Sequence, residues 1–477
     1  MEAVHESRIE IPVHPPAEAA FLAAWPEYAS TYVLDELRAA ELSRLDRARH
    51  VYLDYTGGGL YADGQVRRHA ELLLGDVFGN PHSSSPTSRA ATEGVEGCRR
   101  QVLDFFRASP EEYEVVFTAN ASQALKLVGE SYPFAPGGEF LLTFDNHNSV
   151  NGLREFARAR GARITYIPVM PPEMRVEEGL LDGFLGEPRP DAHNLFAYPA
   201  QSNFSGARHP LAWIAEAQSR GRDVLLDAAA FVPTHRLDLS RWRPDFVTVS
   251  FYKMFGYPTG VGALIARKAA LAKLHRPWFA GGTIAMASVQ ADRYAPAAGA
   301  AAFEDGTPSY LEMPAVAIGL DFLESMGIET VDRRVRCLTG WLLERMQALR
   351  HGNGVPLVAL YGPKTASNRG GTIAFNLHDA AGRLVDHRKV EELANRRGIS
   401  LRTGCFCNPG AGELALGLGR EELTACFRQA ADVMTCEDFR HCIHHEGTGA
   451  VRVSLGWASN LADVEAFLRF AGDFLED

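Results

Sequence analysis

The sequence lacks the features that would assign it to a membrane, a secretory route or a nucleic acid. It has no excess of basic residues: 48 Lys and Arg against 59 Asp and Glu give a net charge of -11. The charges are spread along the chain, whereas a nucleic-acid-binding protein needs a basic face. No apolar run is long enough to span a bilayer. The N-terminal stretch MEAVHESRIEIPVHPP is acidic and broken by prolines, without the basic start and apolar stretch of a signal peptide. The seven cysteines are odd in number and irregularly spaced, which predicts reduced thiols in the cytoplasm rather than a disulfide framework. Neither an internal repeat nor a low-complexity linker is present.

What remains is a chain of 477 residues, 46% of them apolar, enough for two packed domains around a sizeable core. Residues 1–50 read as a helical N-terminal segment packing with the C-terminal part. From 51 to about 310, strand-like runs alternate with helical patterns. EVVFT precedes a helix over Asn120–Tyr132; NSVNGLREFARARG reads as a helix and ARITYIPV as the strand after it. HPLAWIAEAQSRG is a further helix, followed by the strands DVLLDAAA, DFVTVSFYK and GVGALIAR. Such alternation predicts βαβ units and a mainly parallel sheet covered on both faces, an α/β large domain. Residues 311–477 read as a smaller α+β domain: a helix over Val331–Leu349, the strand TIAFNLHD, the helix VDHRKVEELANRRG, the strand AVRVSLGW and a terminal helix.

Lys253 follows an apolar run and precedes a Gly-rich turn, at the carboxyl end of a strand, where open α/β sheets place their ligands. A partly buried lysine loses its charge readily, and its amine becomes a nucleophile. Asp227 closes another apolar run as a lone carboxylate, which is costly to bury unpaired; the protonated ring nitrogen of a pyridine cofactor is a natural partner. Ala121 and Ser122 open a helix whose N–H groups suit a phosphate, with Ser250 adding a hydroxyl. His147, in a loop between a strand and a helix, is placed to stack on a planar ring. In LRTGCFCNPG, Cys405 and Cys407 stand beside Arg402, a cation that favours the thiolate. Arg452, on a strand of the small domain, offers a fork for a substrate carboxylate. Cys436, His441, Cys442, His444 and His445 match no standard zinc spacing, so no metal is expected.

Taken together, the chain resembles the class V aminotransferase and cysteine desulfurase family of fold-type I enzymes dependent on pyridoxal 5'-phosphate (PLP), with most likeness to the desulfurase-like domain of molybdenum cofactor sulfurases. The resemblance rests on ordered segments from Val51 onward, among them VYLDYTGGGLY, FGNPHSSSPTSR, FTANASQALKLV, DNHNSVNGLRE, QSNFSGARHPL, LLDAAAFVPTHRLDLS, SFYKMFGYPTGVGAL, FEDGTPSYL, RTGCFCNPGAG and VRVSLG. It implies that Lys253 is the Schiff-base lysine, that Asp227 holds the ring nitrogen, that His147 stacks on the ring and that Asn203 bonds the ring hydroxyl. Ala121, Ser122 and Ser250 would hold the phosphate. Gly306 and Thr307 would reach the phosphate of a partner subunit, implying a homodimer. Arg452, with Arg402 nearby, would bind the substrate carboxylate, and Cys407, with Cys405 beside it, would accept sulfur. Many desulfurases have His where this chain has Tyr252, and a glutamine common after the ring-binding Asp is replaced by Ala230.

The implied reaction is a cysteine desulfuration: sulfur leaves L-cysteine, Cys407 keeps it as a persulfide and alanine is released. The sulfurases carry a further C-terminal domain that binds the molybdenum cofactor, whereas this chain ends at Asp477. The acceptor, whether a cofactor, another small molecule or a protein, therefore stays open. So do a PLP-dependent C–S lyase, an aminotransferase or a decarboxylating carbon–carbon enzyme acting on an amino acid, none of which needs Cys407, and a non-catalytic scaffold on the same fold.

Overall fold

The computed structural model describes residues 15–81, 83–186, 192–429, 435, 438, 442–443 and 447–476. Along the chain the strands are β1 (Val51–Tyr52), β2 (Tyr113–Thr118), β3 (Glu139–Thr143), β4 (Arg163–Ile167), β5 (Asn194–Pro199), β6 (Asp223–Asp227), β7 (Phe246–Ser250) and β8 (Gly262–Arg267). They continue with the hairpin β9 (Ile284–Ser288) and β10 (Arg293–Pro296), then β11 (Val358–Tyr361), β12 (Thr372–Leu377), β13 (Ile399–Ser400), β14 (Arg402–Gly404) and β15 (Ala450–Ser454).

Seven strands form one sheet in the order β2-β8-β7-β6-β5-β3-β4. The pairs from β4 to β7 are parallel, and β8 runs antiparallel to both its neighbours. Successive side chains on a strand point to opposite faces, and this alternation divides the core in two. Phe140, Leu142, Leu195, Leu225 and Phe246 pack with Leu125 and Val128 of the helix Ala121–Ser131. Leu141, Phe196, Val224, Leu226 and Val247 pack against the other layer, with Val316, Leu320 and Leu323 of the helix Met313–Met326. The near-continuous apolar runs thus follow from burial on both faces.

The second sheet is antiparallel, ordered β11-β12-β15-β14. β1 pairs with β13, and Asp54 bridges to Ser454, so the chain entering the large sheet is first stitched to the small one. The segment before β1 packs on the C-terminal part. Buried Arg334, on the helix Ile328–Ala348, donates to the carboxylate of Asp35 and to the carbonyl of Ser459. Buried Arg38 pairs with Asp463 on the helix Leu461–Gly472.

Two expectations are corrected. The run DFVTVSFYK is not a strand throughout: β7 stops at Ser250, its last pairing being with Gly262, and Phe251–Phe255 turns into a short helix carrying Lys253. Gly256, at φ 81°, ends that helix in the left-handed region open to glycine. The cysteines are not all free either. Cys426 and Cys442 form a disulfide, with Cα atoms 5.5 Å apart, a separation that sequence spacing did not disclose. Cys436, His441, His444 and His445 lie outside the described residues. No described helix is long and apolar enough to cross a membrane.

Candidate active site

The carboxyl ends of β2, β3, β5, β6 and β7 lie at one edge of the sheet, and the antiparallel β8 starts there. At this edge a cavity of about 270 Å³ is lined by Ala121, Ser122, His147, Asn203, Asp227, Ser250 and Lys253, together with Gln201, Ser149 and Tyr252. Seven residues singled out from the sequence, on five separate segments, thus share one cavity.

The floor is built from strand-to-helix turns. After β2, Asn120 caps the helix Ala121–Ser131 by accepting from the amide of Gln123 at 3.0 Å. The Ala121 amide donates to Oγ of Ser250 at 2.9 Å, joining this helix start to the end of β7. The hydroxyls of Ser122 and Ser149 lie 2.6 Å apart. This edge of the cavity therefore offers a helix N-terminus and hydroxyl groups, the combination that receives a phosphate.

Lys253 is exposed only in part, and burial pulls its amine below the ordinary 10.5, against the opposing pull of the Asp227 carboxylate. Nearby Arg452 acts in the same direction as burial. Asp227 fixes one carboxylate oxygen on the amide of Ala229 at 3.0 Å. His147 is the cap of the short helix Asn148–Asn151, its Nδ1 accepting from the amide of Ser149 at 3.1 Å. That bond leaves the proton on Nε2. Burial also holds the imidazole below its ordinary 6.5, so it is neutral at physiological pH.

The cysteine loop closes over this edge from the small domain. It leaves β14, turns through Phe406 and Cys407, at φ 53° and 54°, and enters the helix Pro409–Leu416. Its backbone is docked on the large domain: the amide of Asn148 donates to the carbonyl of Cys407 at 2.7 Å. The side-chain amide of Asn203 donates to the carbonyl of Phe406 at 2.7 Å. Asn408 donates to the carbonyl of Asp145 at 2.7 Å and to Oδ1 of Asn203 at 2.9 Å. Phe406 is buried, while Cys405 and Cys407 are exposed. The Cys407 thiol is close enough to Lys253 and Arg452 to bear on the protonation of both.

Arg452 is buried, donating Nη1 to the carbonyl of Asn203 and Nη2 to Oδ1 of Asp54, both at 3.0 Å, with its guanidinium 4.7 Å from the centre of the Phe406 ring. Arg402, half-exposed, also bonds Asp54. Gly306 and Thr307 are not brought to this cavity. Thr307 lines a separate one of about 210 Å³, beside Thr118, Gln123 and Lys126.

Sequence reasoning missed Asp54, Gln201, Ser149 and Asn408. For Asp54 a signal existed: VYLD ends an apolar run on a lone carboxylate, as DVLLD does at Asp227. Its two arginine partners lie 348 and 398 positions away, beyond the reach of local pattern.

Comparison with known proteins agrees with this architecture. The aminotransferase class-V family model matches residues 51–467, and the chain belongs to that family. Among curated relatives, molybdenum cofactor sulfurase of Bos taurus is 41% identical over 92% of this chain and 51% of its own length. The enzymes of Homo sapiens and Arabidopsis thaliana are 39% and 37% identical over 92% of this chain, and 51% and 57% of theirs. The chain thus spans about half the length of the curated relatives it matches. Its fold is that of solved cysteine desulfurases. One from Thermococcus onnurineus NA1 aligns with a TM-score of 0.75 at 22% identity, covering 92% of this chain and 97% of the other. One from Escherichia coli aligns at 0.70 and 19%, covering 97% and 100%.

Proposed function

We propose that this chain is a PLP-dependent enzyme of the cysteine desulfurase type, which moves sulfur from L-cysteine to Cys407 and releases alanine. The observation that carries the reading is the convergence, at one sheet edge, of the Lys253 cavity and the Cys407 loop, joined through Asn203.

The cavity fits the cofactor by its donor set: a buried amine held towards its neutral form, a carboxylate for a pyridinium nitrogen, a neutral imidazole, and a helix start with hydroxyls for a phosphate. Lys253 would hold it covalently, Asp227 would face the ring nitrogen, His147 the ring, and Ala121, Ser122 and Ser250 the phosphate. When bound, PLP supplies an electron sink that makes the substrate's Cα–H bond acidic. Lys253, whose amine burial pulls below its ordinary value, is the base that takes that proton. Arg452 receives the substrate carboxylate and orients the amino acid. The Cys407 thiolate attacks the substrate sulfur; an S–S bond forms, the carbon–sulfur bond breaks, and the carbon skeleton leaves protonated as alanine. L-cysteine and one thiol thus give alanine and one persulfide, with no external oxidant. Gly306 and Thr307 would complete the phosphate site of a second copy. Exposed Met286 and Val289 on the β9–β10 hairpin support such a homodimer.

The test is to incubate the PLP-loaded protein with L-cysteine and follow alanine and the mass of the peptide carrying Cys407. Wild type should release alanine and gain one sulfur atom on that peptide, and Cys407→Ser should do neither. Borohydride should fix the cofactor on the Lys253 peptide, and Lys253→Ala should lose its visible absorbance. Undiminished sulfur transfer in Cys407→Ser would sink the thiol's role.

A further inference from the structure

We propose that Asp54 is the positioning residue that aims Arg452 at the substrate carboxylate, with Gly57 kept bare so that the Asp54 carboxylate can lie between two guanidinium groups. This rests on the reading of Arg452 as carboxylate receiver and goes beyond it, because it says what holds that arginine in place.

Asp54 follows β1, bridges to Ser454 on β15, and is itself buried. Its two oxygens are divided. Oδ2 accepts from Nε and Nη2 of Arg402, at 2.9 and 2.6 Å, at the mouth of the site. Oδ1 accepts from Nη2 of Arg452 at 3.0 Å in the interior. One negative charge set between two positive ones leaves the cluster with one net positive charge, which a substrate carboxylate neutralises. A buried guanidinium without a counter-charge is costly, so Asp54 both makes the burial of Arg452 tolerable and sets its direction.

That direction is fixed on three sides, by Asp54, by the carbonyl of Asn203 and by the Phe406 ring. The Nε of Arg452 is buried and has no hydrogen-bond partner among the described residues. An unmet buried donor on a charged group is expensive to leave so, and a carboxylate satisfies it with a charge-assisted bond.

Gly57 supplies the independent observation. Its amide donates to the backbone carbonyl of Asp54 at 3.0 Å, and a Cβ added to it would lie 2.5 Å from Oδ2 and 2.7 Å from Oδ1 of Asp54. A methyl group there displaces the carboxylate without changing its charge. Asp54→Asn changes the charge while keeping the shape, so the two variants separate geometry from electrostatics.

The experiment measures calorimetric binding of 3-mercaptopropionate, which carries a carboxylate and a thiol but no amine, to the PLP-loaded protein. Propane-1-thiol, of similar size without the carboxylate, is the control. Wild type should prefer the carboxylate ligand. Asp54→Asn and Gly57→Ala should each lose roughly 10- to 100-fold of that preference, the range of a hydrogen bond to a charged group. Propane-1-thiol binding should stay unchanged, and the KM for L-cysteine should rise in step while kcat holds. A purely structural role would weaken both ligands alike. A preference retained in both variants overturns the proposal while Arg452 keeps its role. A preference absent from wild type, or surviving in Arg452→Gln, overturns the reading beneath it and the proposal together. Should Asp54→Asn fail to fold, Gly57→Ala decides alone.

Discussion

Asn203 reaches from the large domain to the cysteine loop, donating its side-chain amide to the carbonyl oxygen of Phe406 at 2.7 Å. With Asn408 donating to its Oδ1, this one carboxamide is the point at which cavity and loop share a hydrogen-bond network. Asn203→Ala removes both bonds and leaves the Phe406 carbonyl short of a donor, a cost of about 1–3 kcal/mol. Amide exchange of residues 402–410 should quicken in the variant while that of β6 and β7 stays slow. Unchanged exchange in the loop would mean that the Asn148 and Asn408 contacts suffice to hold it.

A second prediction concerns pH. Burial holds His147 below its ordinary 6.5, so between that lowered value and 6.5 the unfolded chain binds more protons than the folded one. The contribution is therefore fully present above 6.5 and is lost as pH falls through the lowered value. Urea midpoints of the apoprotein taken between about pH 7 and pH 5 should fall more steeply for wild type than for His147→Gln. Parallel curves would show that His147 protonates as readily folded as unfolded.

Gly262 begins β8 next to the helix start of the proposed phosphate site. A Cβ there would lie 2.6 Å from Cα of Asn120, a backbone atom with nowhere to go. Gly262→Ala should cost about 1–3 kcal/mol, as overpacking does, and should speed loss of PLP on dialysis. A variant as stable as wild type that retains the cofactor would show that the cap shifts freely.

The hairpin of β9 and β10 exposes Val289 almost completely and Met286 by 73%. Exposed apolar groups clustered on one element mark an interaction surface. Val289→Asp should shift the mass measured by light scattering from two chains towards one. A wild-type mass of one chain would remove both the dimer and the role given to Gly306 and Thr307.

Much of the candidate site was legible because its residues stand where strands give way to turns and helices. Lys253 and Asp227 follow apolar runs, and Ala121 and Ser122 follow a capping Asn; local pattern reports such positions. The Phe251–Phe255 helix was not legible, since its apolar residues continue the β7 run without a break, and only Gly256 marks the change. Nor was the Cys426–Cys442 disulfide, which depends on how the chain folds back between them. Asp54 shows the general limit: its carboxylate matters through partners near the far end of the chain, and no window of sequence contains all three.

The cysteine loop separates what holds Cys407 from what Cys407 presents. Its carbonyl is pinned by the Asn148 amide, while the residue itself is exposed. The hydrogen bonds that seat the loop run through the Phe406 and Cys407 carbonyls and the Asn408 side chain rather than through this sulfur. In the reaction proposed above, Cys407 would be an exchangeable tool in a fixed holder, its load changing from one turnover to the next while its backbone stays seated.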